Sequence, residues 1–293
     1  EHDEASFLVQ TILQSSRPFT DLAVLYRTNA QSRVLEEAFL HAGIPYVLVG
    51  GTRFYERKEI KDVLAYLRLI ANRKDTVSYK RVEKLGIRRL EKFLSYAHKI
   101  TNDEKLVGLS TLELLDQVLE TTRYLELYDA NVEEEAYRLE NIKELRSVAT
   151  EFPKLQEFLE TVALMETQES RTSKGKVYPD PPSGGRGTVT LMTLHAAKGL
   201  EFPIVFMVGM EEGLFPHSRS LMERDELEEE RRLCYVGMTR AKQKLFLVFA
   251  QKRLFFGQKT SNIVSRFILE LPQSVLESNL QSINRPQEEV SWL

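Results

Sequence analysis

Three short segments hold side chains whose types and spacing suit chemistry on a phosphorylated ligand. In residues 190–203 (TLMTLHAAKGLEFP) an apolar run gives way to a loop carrying His195, Lys198, Gly199 and Glu201 before a second apolar run begins. Polar groups at the end of a buried strand stand where α/β domains bind ligands, and Gly199 permits a backbone angle or close approach closed to other residues. Residues 228–242 (EEERRLCYVGMTRAK) set Leu233, Val236 and Ala241 on one side and supply Arg231, Arg232, Arg240 and Lys242. An arginine held on a packed helix can stabilise the charge that develops on a transferring phosphoryl group, a contribution of ~10³–10⁵ in rate. In residues 23–33 (AVLYRTNAQSR), Tyr26 and Arg27 sit where a strand pattern ends, an aromatic ring beside a cation that suits a base and a phosphate. Each segment also has a plainer reading. The first is a strand-loop-strand with solvated charges. The second is a surface helix whose Glu–Arg pairs contribute ~0.3–0.5 kcal/mol each. The third is a weak signal on its own.

A complete nucleotide site is absent from the sequence. No G-x-x-x-x-G-K-[ST] loop occurs, and no strand ends in paired acidic residues suited to Mg²⁺, so the chain lacks the usual means of cradling ATP phosphates and placing the metal. With 40 basic and 43 acidic residues the net charge is −3, so any nucleic-acid contact must come from a local patch. The single cysteine, Cys234, excludes an internal disulfide and fits a reducing compartment. No apolar run approaches the ~18 residues of a membrane span, and the start at Glu1, without a basic or apolar leader, reads as a fragment or processed product.

The elements that must position these residues fall into zones. In residues 1–72, helix patterns at 5–14, 32–42 and 58–70 alternate with strand patterns at 22–26 and 46–49, the second ended by Gly50 and Gly51. Residues 73–177 read as amphipathic helices, with Leu112, Leu115, Val118 and Leu119 at helical spacing, followed by a Pro/Gly-rich linker at 179–185, the two together forming the inserted stretch 73–185. Their many Glu, Lys and Arg residues read as solvated faces. Strand texture returns in 186–272, at 189–194, 204–208 and 245–250, with helical patterns at 226–241 and 262–270. Residues 273–293 read as a loose polar tail. The simplest account is one α/β domain interrupted by a helical insertion.

Taken together and in order, the segments resemble a known family over about residues 5–272. Residues 190–203 resemble motif V of the UvrD/PcrA/Rep superfamily 1A DNA helicases, 228–242 motif VI, and 23–33 motif IV. Residues 49–62 (VGGTRFYERKEIKD) resemble motif IVa, and 210–217 (MEEGLFPH), 253–257 (RLFFG) and 265–267 (SRF) match further family positions. At 84–88 (KLGIR) the chain carries only part of a family turn that touches duplex DNA, which touches on Gly86 and Ile87.

The resemblance implies a RecA-like second motor domain, a parallel sheet with helices on both faces, interrupted by an all-α subdomain. By position, Tyr26 would stack on adenine, Arg27 and Arg240 would reach the γ-phosphate, and Glu201 would contact the ribose. Gly50, Gly51, Thr52, Arg53, His195, Lys198, His217 and Phe256 would face single-stranded DNA, Phe256 as a stacking platform or, on the plainer reading, a core residue. ATP and Mg²⁺ are the implied cofactors, with the metal ligands on an N-terminal motor domain outside this sequence. The implied partners are that domain, single-stranded DNA and strand junctions, and repair or replication proteins, in the bacterial cytoplasm at the nucleoid rather than at a membrane. The implied activity is a 3′–5′ helicase or translocase, with the isolated chain inactive. Two other readings stand beside it. One is a regulatory module that binds duplex DNA or a partner through the helical insertion. The other is a motor within a nuclease–helicase complex of the RecB/AddA kind, which the lack of a nuclease carboxylate–lysine cluster disfavours.

Overall fold

The computed structural model describes residues 1–102, 108–173, 186–255 and 258–277. The 179–185 linker, Phe256 and the tail from 278 onward lie outside the described residues. Helix α1 (His2–Gln14) leads to strand β1 (Leu22–Tyr26), then α2 (Ser32–His41) and β2 (Tyr46–Val49). A helical stretch follows, α3 (Lys58–Ala71), α4 (Thr76–Glu83), α5 (Ile87–Asn102), α6 (Thr111–Thr122), α7 (Glu133–Glu151) and α8 (Leu155–Ser173). The chain then returns to β3 (Val189–Thr193), β4 (Phe202–Met207), α9 (Arg224–Met238), β5 (Ala241–Leu247), an antiparallel hairpin β6 (Lys252–Phe255) with β7 (Gln258–Ser261), and the short α10 (Arg266–Leu269).

The five main strands form one sheet in the order β2-β3-β1-β4-β5, every neighbouring pair parallel. The α/β class expected from the sequence therefore holds, although the strands on either side of the helical stretch are far apart along the chain. β1 shows why its run is uniformly apolar. Leu22, Val24 and Tyr26 enter a core shared with Leu8 and Ile12 of α1 and Phe39 of α2. Ala23 and Leu25, pointing the other way, enter a core with Leu233 and Cys234 of α9. A strand buried on both faces needs no polar alternation.

The helical stretch has its own core, which runs from Phe54 to Met165. α3 is its mast. Ile60, Val63, Leu64, Tyr66 and Leu67 are buried to 1% exposure or less, and a helix apolar on most sides must be surrounded. This core starts before residue 72, where the texture of the sequence changes, because α3 turns its apolar sides to the helices that follow it rather than to the sheet. Local signals set the helix starts. Asp75 accepts the backbone N–H groups of Val77 and Ser78 at 3.0 and 3.1 Å, and Ser110 with Glu113 forms a reciprocal cap on α6.

The charges of α7 depart from the expectation of a solvated face. Tyr137, Glu140, Asn141, Glu144 and Glu151 recur at helical spacing and turn toward the sheet domain. There Tyr137 meets Arg27, Glu140 meets His217, Asn141 meets Arg57, Glu144 meets Arg33 and Glu151 meets His2. The opposite side of α7 supplies Ile142, Leu145 and Val148 to the helical core. A helix wedged between two bodies is buried on both sides, and the side facing a polar partner is itself polar.

Candidate functional site

At the edge where the strands end, the loops after β1, β2 and β3 converge. Gly50 adopts a φ of +73°, and a Cβ built on it would stand 3.3 Å from Cβ of Ala196, so the β2 and β3 loops touch there. A Cβ on Gly51 would lie 3.7 Å from Oδ1 of Asn29 in the loop after β1. One guanidinium fastens the group. Arg57 donates to the carbonyls of Thr52 (3.1 Å) and Asn29 (2.9 Å), to Ser32 Oγ (2.8 Å) and to Asn141 Oδ1 (2.7 Å). Burial lowers its pKa against the pull of Glu36. Arg57 lies within the 49–62 segment, but the sequence offers no sign that this arginine, rather than Arg53, is the buried one. Arg53 lies over the ring of Tyr46 at 5.6 Å.

Of the residues that the resemblance assigns to single-stranded DNA, Gly50, Gly51, Thr52, His195 and Lys198 are exposed, and Arg53 and His217 are half-buried. The structure brings the loops of Gly50, Gly51, Thr52 and Arg53 to the same sheet edge as His195 and Lys198. Desolvation of the ring, followed by the positive charge of Arg27, holds the His195 imidazole below the ordinary histidine value.

Tyr26 and Arg27, which the resemblance assigns to adenine and the γ-phosphate, are both packed inside the protein. The Tyr26 side chain is 2% exposed and belongs to the α1–α2 core, and burial pushes its hydroxyl pKa well up. It offers no free ring face to a base. Arg27 is 9% exposed, and its Nε lies 2.8 Å and its Nη2 2.7 Å from Oε1 of Glu230 on α9. Its Nη1 donates to the Tyr137 hydroxyl at 3.1 Å. Burial opposes the charge on Arg27, and Glu230 more than offsets that, so the group stays ionised. Its charge is spent inside the protein.

The opposite edge, where the strands begin, is built differently. Glu201 directly precedes β4 and Arg240 directly precedes β5, and the Phe202 N–H donates to the Arg240 carbonyl at 2.9 Å. The Arg240 guanidinium donates to the carbonyls of Val236 (2.9 Å) and Leu200 (3.1 Å) and to Thr239 Oγ1 (3.1 Å). These acceptors are neutral, and the carbonyls ending α9 favour a cation there. Glu201 pairs with Lys242 at 3.2 Å, both more than half exposed. Arg231 and Arg232 fit their plainer reading, since they pair with Glu228, Glu270 and Glu229 on the surface.

Strand direction separates the two arginines. Leu25 is level with Met207 while Ala241 is level with Phe202. Arg27 lies beyond one end of that span and Arg240 before the other. At about 3.3 Å per residue they stand roughly 20 Å or more apart along the strands, so they cannot close on one phosphate. In a parallel sheet a residue that follows its strand and one that precedes its strand stand at opposite edges whatever the register.

Among the described residues, no group of three or more His, Cys, Asp or Glu side chains could hold a metal ion. Among the same residues, no helix is long and apolar enough to cross a membrane.

Comparison with known proteins gives concordant matches. The family described as the UvrD-like helicase C-terminal domain matches residues 1–135 and 88–252. The chain is 43% identical to the ATP-dependent DNA helicase PcrA of Bacillus subtilis (strain 168), over 95% of this chain and 43% of that protein. It is 39% identical to the ATP-dependent DNA helicase PcrA of Staphylococcus aureus (strain Mu50), over 95% of this chain and 44% of that protein. The chain thus spans less than half the length of these curated relatives.

Proposed function

We propose, from the premise that this chain belongs to the UvrD-like helicase C-terminal domain family, that it is the responding half of an ATP-driven 3′–5′ DNA motor. In this reading the strand-start edge faces a nucleotide held by another motor domain, which carries the phosphate loop and the Mg²⁺ ligands. Arg240 serves as the γ-phosphate arginine and Glu201 as the ribose-side contact. The strand-end edge, with Gly50, Gly51, Thr52, Arg53, His195, Lys198 and His217, together with Phe256, serves as the single-strand track. Tyr26 and Arg27 have no part in nucleotide contact. The domains read from the sequence keep their roles, with residues 1–72 and 186–272 as the motor domain and the helical insertion between them.

The observation that carries this reading is the state of Arg240. Its guanidinium is held in place by neutral oxygens, with no carboxylate among its hydrogen-bond partners. A γ-phosphate would therefore meet a positioned charge and displace no anion. Fixed charge aimed at the oxygens of a transferring phosphoryl group lowers the barrier because it needs no reorganisation as the reaction proceeds. When the γ-phosphate is lost the attraction across the cleft falls and the domains part, the kind of cycle that moves a motor along a strand.

The test compares this chain with the full-length protein that carries it. The chain alone should show no DNA-stimulated ATPase, and the full-length protein should show it. Arg240→Ala in the full-length protein should lower turnover by ~10³ or more while nucleotide binding largely persists. Turnover by the isolated chain, or an unchanged rate in Arg240→Ala, contradicts the reading.

A further inference from the structure

α9 reaches both edges of the sheet. Two residues past its end stands Arg240. Ten residues earlier, about 15 Å back along the helix, stands Glu230, which is 5% exposed. Its carboxylate takes Nε and Nη2 of Arg27 at the end of β1 and the backbone N–H of His217 (3.0 Å) in the loop after β4. Arg27 in turn donates to the Tyr137 hydroxyl, and that hydroxyl donates to Glu133 at 2.8 Å. One turn along α7, Glu140 meets Nε2 of His217 at 3.2 Å. The end of β1, α7, the loop after β4 and α9 therefore close into one ring of polar contacts. Within that ring α9 reaches the helical insertion by two routes, through Arg27 to Tyr137 and through His217 to Glu140.

A buried ion pair is a poor device for stability alone, since apolar residues of like size often serve as well. What it fixes is geometry. A shift of α9 cannot leave Arg27 and the His217 backbone behind without exposing a buried charge, and a shift of Arg27 pulls on α7. Chains of paired groups in contact are the physical means by which two sites bias one another.

We propose that Glu230 and Tyr137 are positioning residues that couple α9, and so the Arg240 end, to the DNA-facing loops and the helical insertion. The inference rests on the motor reading above. Neither residue touches the nucleotide or the strand in that reading.

The experiment uses the full-length protein with Tyr137→Phe and Glu230→Gln, each close in shape to its parent. Three quantities are measured: ATP turnover without DNA, turnover with single-stranded DNA, and base pairs separated per ATP on a duplex with a 3′ single-stranded tail. Both variants should keep DNA-free turnover within about twofold. Strand separation per ATP should fall roughly three- to tenfold in Tyr137→Phe, the scale of one ordinary net hydrogen bond, and at least as far in Glu230→Gln. The double variant should be no worse than the worse single, because both cut the same ring. A lower melting temperature with unchanged separation per ATP would show a merely structural role and overturn the proposal, as would fully additive losses. If Glu230→Gln does not fold, Tyr137→Phe, which keeps its ring, decides alone. An active parent with a neutral Tyr137→Phe defeats this inference only. A parent without DNA-dependent ATPase, or an active Arg240→Ala, defeats the motor reading and this inference with it.

Discussion

At the edge where the strands end, Arg27 gives its guanidinium to a buried carboxylate and a tyrosine hydroxyl. At the edge where they begin, Arg240 rests on the carbonyls of Val236 and Leu200. Arg27 directly follows β1 and Arg240 stands between α9 and β5 of the same sheet domain, each next to the end of a strand. The difference lies in what surrounds them. α7 and α9 press buried or half-buried carboxylates against the first edge, whereas at the second the Glu201 carboxylate is exposed and pairs with Lys242 rather than with Arg240. An arginine already neutralised and desolvated holds the protein together, whereas one held by neutral acceptors has charge left for a ligand.

The sharpest way to break this contrast is stability. Arg27→Ala strands Glu230 as a buried, unpaired charge and should cost about 3–5 kcal/mol. Arg240→Ala removes bonds to carbonyls that water can replace and should cost about 1 kcal/mol or less. Urea unfolding midpoints of the two variants would decide, and equal losses would mean that the edges do not differ as described.

A second test reads the charge at the strand-end edge through histidines. His195 has a folded pKa below its unfolded value near 6.5, so its contribution is present above that pH and is lost as pH falls below it. Arg27→Ala should move its NMR-monitored titration upward. His2, whose hydrogen bond to Glu151 on α7 raises its pKa, has the opposite sign. Its contribution is full below the unfolded value and is lost as pH rises through the folded one. A downward move of His195 in Arg27→Ala would contradict the placement of the guanidinium beside it.

The smallest effect belongs to the strand-start edge. Lys242→Ala leaves Glu201 exposed and should change stability by less than about 0.5 kcal/mol. A larger loss in thermal melts would show that this edge is more tightly built than its exposure suggests.

Much of the fold was legible from sequence, for reasons visible in particular residues. β1 and β2 fall where apolar runs meet turn residues, and Gly50, at positive φ, ends β2. β5 begins earlier than its apolar run because Lys242, Gln243 and Lys244 lie exposed on an edge strand and carry no burial signal. The hairpin of β6 and β7 was not foreseen, being short and polar. Site residues were legible by type. Glu201 and Arg240 stand side by side at one end of the sheet and Tyr26 and Arg27 at the other, because the former precede their strands, the latter end and follow theirs, and the strands pair in parallel. Glu230 and Tyr137, separated by 93 positions, carry no local mark of their shared partner.

One paired measurement decides which arginine serves the nucleotide. Arg240→Lys and Arg27→Lys, made separately in the full-length protein, are compared for DNA-free ATP turnover with nucleotide affinity recorded alongside. The prediction is a loss of about a hundredfold or more in Arg240→Lys at near-normal affinity, as expected when a phosphate-facing guanidinium is lost. Arg27→Lys should turn over within about fivefold of the parent while melting at a lower temperature. Near-normal turnover in Arg240→Lys with collapse in Arg27→Lys would place the nucleotide at the other edge of the sheet.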